Sequence, residues 1–346
     1  MQIDRQKKFN KLFPKALSWR KSQMISALFD AKINNWMSVS SLPNDLRKKM
    51  TDSIPWMSVT QNELYESRDK QTHKALLALT DGNIIETVLM KNKREQFSVC
   101  VSSQVGCAMG CIFCATGQIG LKRNLTTDEI VDQLRFWQYF LRDYKINDRI
   151  SNIVIMGMGE PLANYENVKT AIEQWLKYTD IGANHITVST VGILAYLNKI
   201  LTDKNWPPVR VAISLHSANE TTRKKIVPTT GNDYLHQLSQ WAKKYLETKG
   251  ANKRHLTFEY VLLSDINDST LDAKMLGNFA AAIGHVKINL IPFNNVLGKN
   301  LQRSQTADQF ATIVKKYGIT TTIRQSAGQD IMAACGQLSG KKNKVG

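Results

Sequence analysis

The sequence predicts an α/β protein, a mostly parallel sheet with helical crossovers that closes into a barrel or most of one, with a small basic helical module in front. Three observations predict it. From about residue 97 onward, short β-type runs alternate with amphipathic helical stretches, the pattern of parallel strands joined by right-handed crossovers. The first 50 residues instead show helical spacing and hold eleven Lys/Arg against three Asp/Glu, a local excess of +8. The chain has 346 residues, 42% of them hydrophobic, enough for one large core with an appendage.

Taken in order, residues 1–75 read as the basic helical module, with Met24, Ile25, Leu28 and Phe29 on one face of a helix. Lys7, Lys8, Lys11 and Arg20 serve equally well as a solvated face or as phosphate contacts. Residues 76–96 form a connecting β segment around Ile84-Ile85-Glu86-Thr87-Val88-Leu89. The barrel spans 97–325, with strands expected at 97–102, 150–156, 185–189, 209–216, 256–263, 286–293 and 320–324. One helix between them starts at Thr126-Thr127-Asp128-Glu129, a capping box, and continues with Ile130, Leu134, Trp137 and Leu141 on one face. A C-terminal segment, 326–346, carries Cys335 and ends in the basic run Lys341-Lys342-Asn343-Lys344.

Composition narrows the function. The formal net charge of +17 favours a polyanionic partner, nucleic acid or an acidic membrane surface. No apolar run reaches the roughly 20 residues that span a bilayer, and the N-terminus has no apolar stretch behind its basic residues, so a cytoplasmic protein is expected. Five cysteines, three of them within eight positions, make a poor disulfide framework and a good metal loop in a reducing compartment.

That loop is Gly106-Cys107-Ala108-Met109-Gly110-Cys111-Ile112-Phe113-Cys114, Cys-x3-Cys-x2-Cys directly after a strand. Structural zinc sites want four ligands, and no fourth Cys or His lies nearby. Three thiolates leave one iron of a 4Fe–4S cube open to bind another molecule, whereas electron-transfer clusters are fully ligated. Met156-Gly157-Met158-Gly159-Glu160-Pro161 adds a glycine-rich turn after the next strand.

The cysteine spacing, with an aromatic before the last Cys, resembles the cluster loop of the radical S-adenosylmethionine (SAM) superfamily. The resemblance narrows to the RlmN/Cfr RNA adenine methyltransferases through Cys100-Val101-Ser102-Ser103-Gln104-Val105-Gly106-Cys107, Ser214-Leu215-His216, Asn289-Leu290-Ile291-Pro292-Phe293-Asn294 and Ala333-Ala334-Cys335-Gly336-Gln337-Leu338. It implies a partial (β/α)6 TIM-like barrel and one 4Fe–4S cluster held by Cys107, Cys111 and Cys114. It implies a SAM site at Gly159, Glu160, Ser189, Ser214, Leu215, His216 and Asn294.

The resemblance also assigns the two remaining cysteines, which alone would read as small buried hydrophobes. One SAM methylates Cys335, and a second gives the radical that removes hydrogen from that methyl group. The methylene adds to an adenine carbon, and Cys100 then attacks the sulfur of Cys335, leaving a transient disulfide. Glu86 matches a proton acceptor, with a solvated strand residue as the other reading. The implied substrates are an adenine of 23S rRNA, with tRNA, and a reducing donor such as flavodoxin serves a monomer. Pro161 and Pro292 point to carbon 2 of adenine; methylation of carbon 8, which confers antibiotic resistance, is the alternative. Asn295 stands where the family pattern has proline. A radical SAM enzyme with a non-RNA substrate and an RNA-binding zinc protein are the other classes weighed.

Overall fold

The computed structural model describes residues 2–92, 95–249 and 256–340; the basic run at 341–344 lies outside them. Three helices open the chain: α1 (Arg5–Leu12), α2 (Ser18–Leu28) and α3 (Asn44–Ser53). Asp4 caps α1 by accepting from the Lys7 N–H. Three antiparallel strands follow, β1 (Val59–Glu66), β2 (Thr72–Leu79) and β3 (Ile84–Lys91). The helical part is therefore shorter than the sequence suggests. Residues 59–75, expected with the helices, belong to the sheet, and position 75 falls inside β2. The reason is tertiary: Thr72–Leu79 is buried along nearly its whole length between β1 and β3.

The central sheet has ten strands. To β1–β3 it adds β4 (Phe97–Cys100), β7 (Ile150–Ile155), β8 (Ile186–Thr190), β9 (Arg210–Ser214), β10 (Leu256–Leu262), β11 (Val286–Pro292) and β12 (Thr320–Ile323) in that spatial order. From β4 to β12 every pairing is parallel. A separate two-stranded ribbon, β5 (Gln104–Gly106) with β6 (Leu121–Asn124), brackets the cysteine loop. The sheet curls: Arg324, just past β12, reaches Met156, just past β7, with Nη1 to Sδ 3.7 Å, although four strands separate them in the sheet. The expected strands all form, with ends shifted by one or two residues.

Helices connect the strands: the short α4 (Thr116–Ile119) beside the cysteine loop, then α5 (Thr127–Asp143), α6 (Tyr165–Tyr178), α7 (Leu194–Thr202), α8 (Glu220–Ile226), α9 (Tyr234–Thr248), α10 (Thr270–Ile283) and α11 (Ala307–Lys315). The Thr126/Glu129 capping box forms as read, and Ile130, Leu134, Trp137 and Leu141 are buried. The N-terminal module docks on α5 through buried ions. Arg5 pairs with Asp128 (2.9 Å) and Asp132, and Arg135 pairs with Asp132. No helix of the described residues is long and apolar enough to cross a membrane.

Candidate active site

In parallel α/β folds, loops at the C-terminal strand ends form the site. Here those loops hold the expected residues. After β4, Ser102-Ser103-Gln104 builds the support for the glycine-rich loop after β7. The Ser103 and Gln104 N–H groups donate to the Met158 carbonyl (2.8 and 3.1 Å), Ser102 Oγ accepts from the Met158 N–H (2.8 Å), and Gln104 Oε1 accepts from the Glu160 N–H (2.8 Å). The loop lies so close that a Cβ on Gly159, whose φ is +102°, would stand 2.5 Å from the Gln104 Cβ. Only glycine fits there on both counts.

One cavity is lined by Cys107, Cys111 and Cys114 together with Gly159, Glu160, Ser189, Ser214, His216, Glu259, Arg324 and Cys335. A second, adjoining cavity is lined by Cys100, Val154, Arg324, Ala333, Ala334 and Cys335. Cys335, an exposed residue, belongs to both walls, whereas Cys100 is buried. A hollow at Asp265, Asp268 and Asp272 holds none of the cysteines. Its carboxylates are engaged locally, Asp272 closing a capping box with Ser269 and Asp268 accepting from the Asp265 N–H.

The polar groups facing the first cavity are individually fixed. Glu160 is buried and accepts from Thr190 Oγ1 (2.6 Å), the Val191 N–H (2.8 Å) and the Leu162 N–H (3.0 Å). Burial raises its pKa, and these three bonds oppose the rise. Ser214 ends β9, but His216, inside the strand expected at 209–216, lies beyond it with φ +58°, so the two reach the cavity through a turn. His216 Nδ1 accepts from the Val261 N–H (3.0 Å), which leaves the proton on Nε2, a buried donor without a partner beside the cavity. Burial lowers its pKa to about 3.

Three expected residues sit elsewhere. Leu215 is fully buried, and its N–H donates to the Glu259 carbonyl (3.0 Å). Asn294 Nδ2 donates to the Cys335 carbonyl (3.1 Å) and its Oδ1 accepts from Gln329, so it holds the Cys335 segment. Glu86 is completely buried, which removes the solvated alternative. Its carboxylate pairs with Lys74 (3.1 Å) and accepts from the N–H groups of Ser339 and Gly340, and it lines neither cavity.

Glu259 and Arg324 escaped the sequence reading. Ser214, Glu259, Asn289 and Thr322 are register partners across β9 to β12, a polar row on one face. Asn289 Nδ2 donates to Glu259 Oε1 (2.9 Å), and Arg324 Nη1 lies 3.7 Å from Glu259 Oε2. A charge inside the apolar run Phe258-Glu259-Tyr260 was the available signal.

The cysteine loop fits an iron–sulfur cluster. Three thiols share one cavity wall, the number of protein ligands that leaves one iron of a cube open. Burial raises Cys107 to about 12 and raises Cys111 as well, so metal loading must displace protons.

The Radical SAM superfamily profile matches residues 101–276. A probable dual-specificity RNA methyltransferase RlmN of Clostridium botulinum (strain Alaska E43) is 39% identical over 325 residues, 93% of this chain and 90% of that protein. The RlmN protein of Dictyoglomus turgidum is 41% identical over 327 residues, again 93% and 90%. The crystal structure of a radical SAM methyltransferase from Sphaerobacter thermophilus superposes with a TM-score of 0.88 at 32% identity, covering 99% of this chain and 100% of that one. With the cluster loop, the glycine-rich loop and Cys335 gathered at one end of the sheet, the chain belongs to the radical SAM superfamily and, within it, to the RlmN family of RNA methyltransferases.

Proposed function

We propose that this RNA methyltransferase acts on carbon 2 of an adenine in 23S rRNA and of the adenine beside the anticodon in tRNA, in the cytoplasm, as a monomer fed electrons by a flavodoxin-like donor. The observation that carries the chemistry is the position of Cys335 on the shared wall of two cavities, one lined by all three cluster cysteines and the other by Cys100 together with Cys114. The dual specificity in the relatives' name supports two RNA classes, and Pro161 and Pro292 support carbon 2.

Cys107, Cys111 and Cys114 would hold the 4Fe–4S cluster. Gly159, Glu160, Ser189, Ser214 and His216 would hold SAM, His216 through its unpartnered Nε2–H. When bound, the pair supplies a 5′-deoxyadenosyl radical. The protein's own steps centre on sulfur. Cys335 accepts a methyl group from one SAM by displacement, which needs its thiolate. After a hydrogen atom leaves that methyl group, the carbon radical on the Cys335 sulfur adds to the adenine carbon, and the adduct returns one electron to the reducing chain that supplied it and gives its ring C–H proton to a base. The Cys100 thiolate then attacks the Cys335 sulfur, the carbon–sulfur electron pair leaves with the carbon, which takes up a proton to become the methyl group of the released RNA, and a disulfide remains for external thiols to reduce. Two SAM are used per turnover.

The test is mass mapping of adenines in rRNA and tRNA from cells with and without the gene. The reading expects 2-methyladenine in both RNA classes, lost with the gene. 8-Methyladenine in its place would overturn carbon 2, and an unchanged RNA would overturn the substrate.

A further inference from the structure

We infer that the buried Lys74–Glu86 pair is a positioning device that seats the Cys335 segment, gripping it on both sides of the working sulfur. Lys74 on β2 and Glu86 on β3 are diagonal neighbours on one face of the sheet, since Glu86 is the register partner of Leu76. Both are fully buried, with Nζ to Oε2 3.1 Å. Each also reaches the same stretch of chain. Lys74 Nζ donates to the Met332 carbonyl (3.2 Å), three residues before Cys335. Glu86 Oε1 accepts from the N–H groups of Ser339 (2.9 Å) and Gly340 (2.6 Å), four and five residues after it.

The segment needs such a grip. Between Met332 and Gly340 it forms no helix or strand, so its backbone groups must find partners elsewhere. Three of them do so at the site: the Ala115 N–H donates to the Gly336 carbonyl (2.7 Å), Thr116 Oγ1 to the Leu338 carbonyl (2.6 Å) and Asn294 Nδ2 to the Cys335 carbonyl (3.1 Å). Those bonds tie the middle of the segment to the cluster loop and to the end of β11. The flanks are tied by the ion pair. A buried ion pair is a poor source of net stability compared with apolar side chains, because both charges lose their water. Its use here lies in geometry: a carboxylate can take two adjacent N–H groups at once, and an ammonium can reach a carbonyl seven residues away on the same segment. This assigns Glu86 to holding Cys335 in place and not to proton transfer. The meaning of the clamp rests on the reading of Cys335 as the working sulfur, but the clamp itself is tested without any turnover.

The experiment compares hydrogen exchange of peptides spanning 332–340 in the full chain. Lys74→Met/Glu86→Gln replaces the pair by neutral groups and keeps an acceptor oxygen; Lys74→Met/Glu86→Ala removes the acceptor as well. The first, which loses only the Lys74 grip, should exchange faster at 332–335 but within about threefold of wild type at 336–340, and the second at least tenfold faster at 336–340 as well, with β7–β10 unchanged. Equal protection in both variants overturns the clamp. RNA methylation adds the second readout: the Gln variant should keep turnover, and a protected but inactive Gln variant would return Glu86 to proton transfer and overturn the positioning role. Should neither core variant fold, a chain ending at Leu338 removes the two N–H donors from the other side. It should loosen 332–338 relative to a chain ending at Gly340, and identical exchange in the two chains refutes the inference.

Discussion

Replacing Asp132 by Ala should release the N-terminal module from the barrel. Asp132 is fully buried on α5 and accepts from Arg5 and Arg135 side chains, from the Ser58 N–H (2.6 Å) and from Ser58 Oγ (2.7 Å). Burial opposes its ionisation, but the Arg5 and Arg135 guanidiniums outweigh it and bring the carboxyl to about 2. Without it, Arg5 keeps Asp128 (2.9 Å) and the carbonyls of Pro55 and Trp56, and Arg135 keeps the carbonyls of Leu28 and Trp56, so one positive charge is left buried and uncompensated. Removing one partner of a buried pair costs about 3–5 kcal/mol. At roughly 2–4 °C per kcal/mol for large domains, melting should fall by about 6–20 °C, or the module should detach before the barrel melts. Calorimetry and trypsin cleavage at Arg20, Lys21 and Arg47 read the two outcomes. A melting temperature within 2 °C of wild type together with unchanged cleavage would refute the argument.

Three further outcomes are expected. Cys107→Ala/Cys111→Ala/Cys114→Ala should bind no stoichiometric iron and make no 5′-deoxyadenosine, read by iron assay and chromatography; retained iron would remove the cluster assignment. Cys335→Ala should keep the cluster but lose both self-methylation and RNA methylation, whereas Cys100→Ala should trap RNA on Cys335 as a slow, nuclease-sensitive band on a denaturing gel, absent in the double variant. His216, buried and neutral with a pKa near 3, binds a proton on unfolding below about pH 6.5, so its contribution to stability is full at neutral pH and shrinks as pH falls towards 3. The unfolding free energy of wild type relative to His216→Asn should therefore drop by about 2 kcal/mol from pH 7 to pH 5, and a difference constant with pH refutes this.

The parallel strands were legible because burial on both faces leaves continuous apolar runs such as Ile153–Ile155, bounded by helical periodicity. The first two strands were not. Val59–Glu66 is mostly polar, and Thr72–Leu79 consists largely of good helix formers; both are strands because neighbours pair with them. Buried ions were illegible for the same reason. No local pattern marks Arg5 or Lys74 as buried, and only the fold brings Asp132 and Glu86 to them from 127 and 12 residues away. At the site, spacing alone revealed the three cluster cysteines, since one loop holds them all. The placement of Cys100 beside Cys335 is a tertiary fact spanning 235 residues, beyond the reach of any local pattern.

Cys335 and Cys100 sit in unequal environments: Cys335 is exposed, while Cys100, on the wall of the same cavity, is buried. Burial raises the Cys100 thiol to about 12, and the neighbouring Cys335 charge raises it further, against opposing effects of the Met156 backbone and Arg324. Only the thiolate attacks sulfur, so burial holds Cys100 back as a nucleophile. Burial raises the Cys335 thiol as well, and the Arg324 charge, which lines both cavities, opposes the rise at either sulfur. The same cation thus serves whichever of the two thiols ionises, and what separates them is access: Cys335 is exposed and Cys100 is buried.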